Sequence, residues 1–172
     1  MTVGLAHVRR LPGAFMPVPP GLLRGWRGTV FAAATAAATA AATAAAAAAA
    51  AGAAAGAGAE ARLGRRSPGM DALLARSGVR GATILGAWNP FSRKAAQRRN
   101  DAMHRSLLLR LRRARPPAIE AVGRPWRGTW PPEAHVMLPG DGRPALRLAR
   151  LFRQHAVLAL RLRAPCRLLV LR

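Results

Sequence analysis

The sequence predicts a mostly disordered chain carrying three isolated α-helices, at about residues 31–51, 90–115 and 145–164, without a shared core. Three observations lead there. The first is charge. Against 28 basic residues stand only 6 acidic ones, a formal net charge of +22, and self-repulsion of that kind opposes compaction. The second is the quality of the apolar content. Hydrophobic residues make up 51% of the chain and aromatics only 5%; alanine supplies much of the former, and its methyl group buries little surface. The third is interruption, because 17 glycines and 14 prolines break regular structure along the whole length.

Each segment follows from its composition. Residues 1–30 form a Pro/Arg leader in which Pro12, Pro17, Pro19 and Pro20 interrupt helix repeatedly, so disorder is expected. Residues 31–59 are a low-complexity polyalanine tract punctuated by Thr35, Thr39 and Thr43. Alanine has the highest helix propensity, and the run exceeds the length at which an isolated helix becomes marginal, so a helix fraying near Gly52 is expected. The tract is uncharged and long enough for a membrane span, and Ala57-Gly58-Ala59 resembles the end of a secretory signal. Alanine is barely apolar and the preceding region is long and proline-broken, which favours a repeat-expanded helix over either. Residues 60–89 read as a Gly-rich linker.

Asn89 followed by Pro90 starts a helix well, and Pro116-Pro117 stops it. Within 90–115, Phe91, Ala95, Ala102 and Leu109 fall near one line, but Arg98 and Arg113 border it. Such a basic helix stays solvated or gains order on an anionic partner. Residues 116–144 read as a Pro/Trp-rich loop. Residues 145–172 read as a basic amphipathic helix and tail, with Arg147, Arg150, Arg153, Gln154 and Arg161 opposite Leu148, Leu151, Phe152, Leu158 and Leu162. Leu146, Val157 and Leu160 intrude on the basic side, and Pro165 ends the segment.

No constellation points to catalysis. Glu60, Asp71, Asp101, Glu120, Glu133 and Asp141 are dispersed among arginines and read as salt partners. His7, His104, His135 and His155 lack metal-ligand spacing, Cys166 is alone, and the sole lysine, Lys94, follows Arg93 where a phosphate loop needs glycine. The chain is therefore expected to be no enzyme, with no catalytic residue, cofactor, metal or small-molecule substrate.

The expected partners are polyanions, RNA or acidic proteins, held through arginine. Arg98-Arg99 and, after ten intervening residues, Arg110, Arg112, Arg113 and Arg115 resemble a bipartite nuclear import signal and equally suit phosphate contact, which places the expected location in the nucleus or nucleolus. An internal echo adds aromatic surface: Arg24-Gly25-Trp26-Arg27-Gly28-Thr29 recurs as Arg124-Pro125-Trp126-Arg127-Gly128-Thr129. Trp26 and Trp126 would stack on RNA bases while neighbouring guanidinium groups engage phosphate. Ser67, between Arg66 and Pro68, is a candidate phosphorylation site. Two alternatives remain open. One is a mitochondrial or membrane-associated protein that lays 145–164 on an anionic membrane surface. The other is a translated GC-rich or overlapping reading frame with no selected function.

Overall fold

The computed structural model describes residues 7–10, 20–33, 59–126 and 130–171. Over these the chain is organised on one mixed eight-stranded sheet. In chain order the elements are β1 (Val8–Arg10), α1 (Pro20–Arg27), β2 (Thr29–Ala33), β3 (Ala59–Arg62), α2 (Pro68–Arg76), β4 (Gly81–Gly86), a 3₁₀ turn (Pro90–Ser92), α3 (Gln97–Leu111), β5 (Ile119–Pro125), β6 (Glu133–Pro139), α4 (Gly142–Leu151), β7 (Ala156–Arg161) and β8 (Arg167–Val170). The strand order is β1-β8-β7-β4-β6-β5-β2-β3. Only the β1/β8 pair is parallel.

The sheet curls back on itself into a half-barrel. Strand β3 is last in the order, yet Leu63 beyond its end bridges Cys166 ahead of β8. The Gly64 N–H donates to the Cys166 carbonyl at 2.9 Å, and the Cys166 N–H to the Arg65 carbonyl at 3.0 Å. The outer edge of β8 is thereby divided between β1, which takes 168–170, and the returning chain at 166. An edge that is paired on both sides is also protected from pairing with other chains.

Strand periodicity then sorts side chains to two faces. Inside the curl, Phe31, Ala33, Ala61, Ile84, Ala121, Met137, Leu158 and Leu168 share one buried cluster with Met70, Leu73 and Leu74 of α2. Helix α2 begins at Ser67, whose hydroxyl accepts from the Met70 N–H at 3.2 Å, with Pro68 in the first turn. It leads into β4 through a Val79 N–H bond to the Leu74 carbonyl. On the outer face, Leu85, Val136, Leu138 and Val157 pack against Leu107 and Leu111 of α3 and Ala145, Ala149 and Phe152 around α4. Helix α4 sits close on β4 because Gly142 has no side chain: a Cβ there would lie 3.1 Å from Thr83 Oγ1.

This architecture corrects the expectation of a mostly disordered, low-complexity chain with coreless helices. The helix expected over 31–51 instead starts as β2 at its first three residues, with Ala59 opening β3; positions 34–58 of the alanine tract lie outside the described residues. The stretch read as linker, 60–89, holds most of β3 together with α2 and β4, and that read as loop, 116–144, holds β5 and β6. Within 90–115 a regular helix spans only Gln97–Leu111. The helix expected over 145–164 ends at Leu151, and Ala156–Arg161 is a strand. The physical reason lies in where the charge goes. Arginines at 65, 66, 76, 80, 98, 99, 105, 110, 112 and 113 all stand exposed. Unit charges 10 Å apart in water repel by only about 0.4 kcal/mol before salt screening, which fully burying one leucine outweighs at roughly 2 kcal/mol. No helix among the described residues is long and apolar enough to cross a membrane.

The purified monomer, free of anions, is expected to melt in one cooperative transition. Leu85→Ala should lower its stability by about 2–5 kcal/mol, read as a shifted urea midpoint with an unchanged slope. A broad transition that this substitution leaves in place would contradict the core.

Candidate functional site

The interior is not filled along its whole length. Around Gly86 at the end of β4, Gly123 on β5 and Ala156 at the start of β7, small residues leave a cavity of ≈ 430 Å³. Trp26, Phe31, Trp88, Trp130, Glu133 and His155 are among its lining. Trp126 follows the lining residue Pro125, so all four tryptophans of the chain stand in or beside one cavity.

One wall is held in a costly backbone conformation. Asn89 (φ 49°), Phe91 (φ 54°) and Ser92 (φ 54°) are all left-handed, and so is Arg153 (φ 55°) on the facing segment. Asparagine tolerates this region, but phenylalanine and serine do so at a cost of order 1–3 kcal/mol each. The two strained stretches are tied together by the Phe91 N–H donating to the Arg153 carbonyl at 2.7 Å. Ser92 Oγ and His155 Nδ1 lie 3.0 Å apart, and Gln154 Nε2 donates to the Trp88 carbonyl at 3.0 Å.

Asn100, on α3 and only 3% exposed, locks the turn. Its Oδ1 accepts from the Asn89 N–H at 3.0 Å, and its Nδ2 donates to Asn89 Oδ1 at 3.1 Å. Asn89 Oδ1 also accepts from the Ala95 N–H at 3.0 Å. With its oxygen so occupied, the Asn89 amide must turn Nδ2 the other way, where it donates to Glu133 Oε1 at 2.7 Å. The Trp130 indole N–H donates to the same oxygen at 2.8 Å. A chain of fixed donors and acceptors thus runs from a buried helix residue to a carboxylate in the cavity.

His135 lies beneath this network in space that two glycines leave open. A Cβ at Gly123 would meet its Cε1 at 2.9 Å, and one at Gly86 its Nε2 at 3.1 Å. Phe31 meets the imidazole edge-on at 5.2 Å. Burial pushes the His135 pKa below its usual 6.5, against the opposing pull of the Glu133 carbonyl and carboxylate. Since a carbonyl oxygen can only accept, the 3.0 Å contact to Glu133 O places the ring proton on Nδ1. Burial likewise lowers His104. Cys166, pushed up to about 11 by burial, is held as a neutral thiol and packs in the core. Among the described residues no cluster of His, Cys, Asp and Glu is suited to hold a metal.

The residues singled out from sequence are distributed unevenly around this cavity. Trp26 lines it, and the two copies of the internal echo meet: β2 and β5 pair from Thr29 opposite Pro125, and the Trp126 N–H donates to the Gly28 carbonyl at 2.6 Å. The Arg62 guanidinium covers the Trp126 ring at 3.4 Å. Arg98 and Arg99 stand exposed in the first turn of α3, and Arg110, Arg112, Arg113 and Arg115 stand exposed at and beyond its end. None of these six lines the cavity. Ser67 is half-buried as the cap of α2 and also donates to the Glu60 carbonyl. In 145–164, α4 turns Ala145 and Ala149 onto the sheet and leaves Arg147 and Arg150 exposed.

Sequence reasoning missed Trp88, Asn100 and Trp130 and read Glu133 as a salt partner. The available signal was the spacing of Trp130 and Glu133, an indole donor three residues from a carboxylate.

Residues 85–157 match the model of a family described as "Protein of unknown function (DUF3293)". The match covers less than half of the chain, yet it contains Asn89, Asn100, Trp130, Glu133 and Gln154. No curated protein and no solved structure matches the chain.

Two outcomes follow from this geometry. Asn100→Ala leaves the Asn89 backbone N–H without its acceptor and should cost about 1–3 kcal/mol in urea unfolding. Burial lowers the pKa of His104 and of His135 in the folded chain below the usual 6.5, so the unfolded chain binds more protons as the pH drops through that value. Their contribution is therefore complete above about pH 6.5 and is lost as pH falls from there towards the folded-state values. A urea midpoint that stayed flat or rose on acidification from roughly pH 8 to pH 5 would contradict it.

Proposed function

We propose that the protein binds single-stranded RNA at the open end of the half-barrel, with bases against tryptophan and phosphates against arginine. The observation that carries this reading is the placement of Trp126 and Trp130. These are 53% and 51% exposed at the two ends of the β5–β6 connection, beside a cavity that Trp26 and Trp88 also line. The Arg62 guanidinium already covers one face of Trp126, whereas no ring or guanidinium among the described residues covers Trp130, and every base offers a ring that can stack there.

The surrounding charge suits the backbone of the strand. Arg24 lines the cavity, as does Arg124, whose charge Glu60 already pairs, and exposed Arg93 and Arg153 adjoin the lining residues Ser92 and Gln154. The net charge of +22 adds long-range attraction, whose signature is a steep dependence on salt. The exposed arginine run at the end of α3 extends the same surface property. On this reading the nucleus or nucleolus, where RNA is abundant, is the expected compartment.

The chain has four tryptophans and no tyrosine, so its intrinsic fluorescence reports on this region alone. Titration with an unstructured RNA strand should quench that fluorescence, with affinity falling by orders of magnitude between 50 and 500 mM salt, a change of about threefold in Debye length. Trp130→Ala should weaken binding about five- to a hundredfold, the range for loss of one stacked base. Absence of quenching, or affinity indifferent to salt, would refute the reading.

A further inference from the structure

Resting on that reading, we propose that Glu133 makes the cavity selective for a base with adjacent N–H donors on one edge, which is guanine. The argument begins with how the acids of this chain are used. Glu60 engages Arg62 and Arg124, and Asp71 engages Arg66. Glu133, like Asp101, Glu120 and Asp141, forms no ion pair among the described residues, but of these four only Glu133 lines the cavity. In a chain with 28 basic side chains, its carboxylate is instead held by two neutral donors, Asn89 Nδ2 and Trp130 Nε1, both on Oε1. No donor among the described residues satisfies Oε2. A cavity that attracts anions at its mouth therefore presents a full negative acceptor inside, a polarity that fits a nucleotide.

The acceptor is preorganised. Asn89 is fixed by Asn100 and Ala95, so the donor that orients Oε1 has no freedom to turn away. Trp130 is oriented by the same oxygen, which sets a stacking face next to the acceptor. A base seated on that face brings its edge towards Oε2. Guanine alone among the four bases carries N1–H and N2–H side by side; adenine and cytosine each offer an amino group next to an acceptor nitrogen, which the carboxylate repels. Guanine also carries O6, an acceptor. The Trp88 Nε1, buried with no partner among the described residues and on the lining of the same cavity, is a donor in want of one.

The test uses the full chain and short uridine strands with one central guanosine, adenosine, cytidine or 1-methylguanosine, titrated by tryptophan fluorescence at one low salt concentration. Guanosine is expected to bind about ten- to a hundredfold more tightly than adenosine or cytidine, and methylation of N1, which blocks the donor edge, should abolish that advantage. Glu133→Gln keeps an oxygen for Asn89 and Trp130 and exchanges Oε2 for an amino donor. Its guanosine-to-adenosine affinity ratio should fall to near one. Equal binding of all four strands by the wild-type chain would overturn the selectivity and leave RNA binding standing, whereas no binding of any strand would remove the RNA reading itself. A guanosine advantage that survives both N1 methylation and Glu133→Gln would also overturn the role of Glu133. The methylated strand requires no variant, so the proposal stays testable if the substituted protein does not fold.

Discussion

The curl of the sheet is the constraint on which everything else depends. A flat eight-stranded sheet with alanine at so many positions would expose one face without enough bulk to cover it. Curled until Leu63 meets Cys166, the same strands face each other, and small side chains become an advantage because they let the walls approach. Helix α2 then needs only Met70, Leu73 and Leu74 to fill the space near the start of β4. The composition that argues against a core in a globular layout is the composition a tight curl requires.

The cavity is the remainder of that economy. Where β4 ends and β6 and β7 begin, Gly86 and Gly123 replace alanine, and the volume gained is divided between His135 and empty space. Three left-handed residues in the 89–92 turn persist only because Asn100 and Arg153 over-determine the turn from two sides. Strain, a buried carboxamide and a carboxylate held by neutral donors together keep one wall of the cavity in a single shape, which the proposed binding of RNA would use.

The sequence disclosed the pieces that depend on local rules. Asn89-Pro90 does mark a boundary and Pro116-Pro117 an end, with α3 between them, although the left-handed turn delays the helix to Gln97. The two copies of the echo around Trp26 and Trp126 meet at the β2–β5 pair, a proximity that their separation in sequence did not reveal. The sheet was hidden for two reasons. Strands β2, β3 and β5 are short, and their buried positions other than Phe31 are alanine, glycine and valine, which give a weak apolar signal, and several of their pairing partners lie far apart in sequence. In 145–164 the intrusion of Val157 and Leu160 into the basic arc was the trace of a change of period, from 3.6 in α4 to 2 in β7. Glu133 was illegible because charge counting treats every acid in a basic chain as a counterion. Only the third dimension separates Glu60, which meets two arginines, from Glu133, which meets none among the described residues.

That separation bears on how a chain of this charge can be selective at all. Arginine on an exposed surface attracts any polyanion with similar strength, since guanidinium-to-phosphate contacts carry no sequence information. Discrimination has to come from directional hydrogen bonds rather than from the surface field, and in the proposed site the Glu133 carboxylate supplies the acceptor. An acid survives as an acceptor here only if neutral donors occupy it before an arginine can. Asn89 and Trp130 meet that condition, and both are delivered by the turns that flank β4 and β6. On the proposed reading, non-specific attraction on the outside and directional acceptance on the inside would both follow from the fold: guanidinium groups stand on the surface, and the Glu133 carboxylate in the cavity is held by neutral donors.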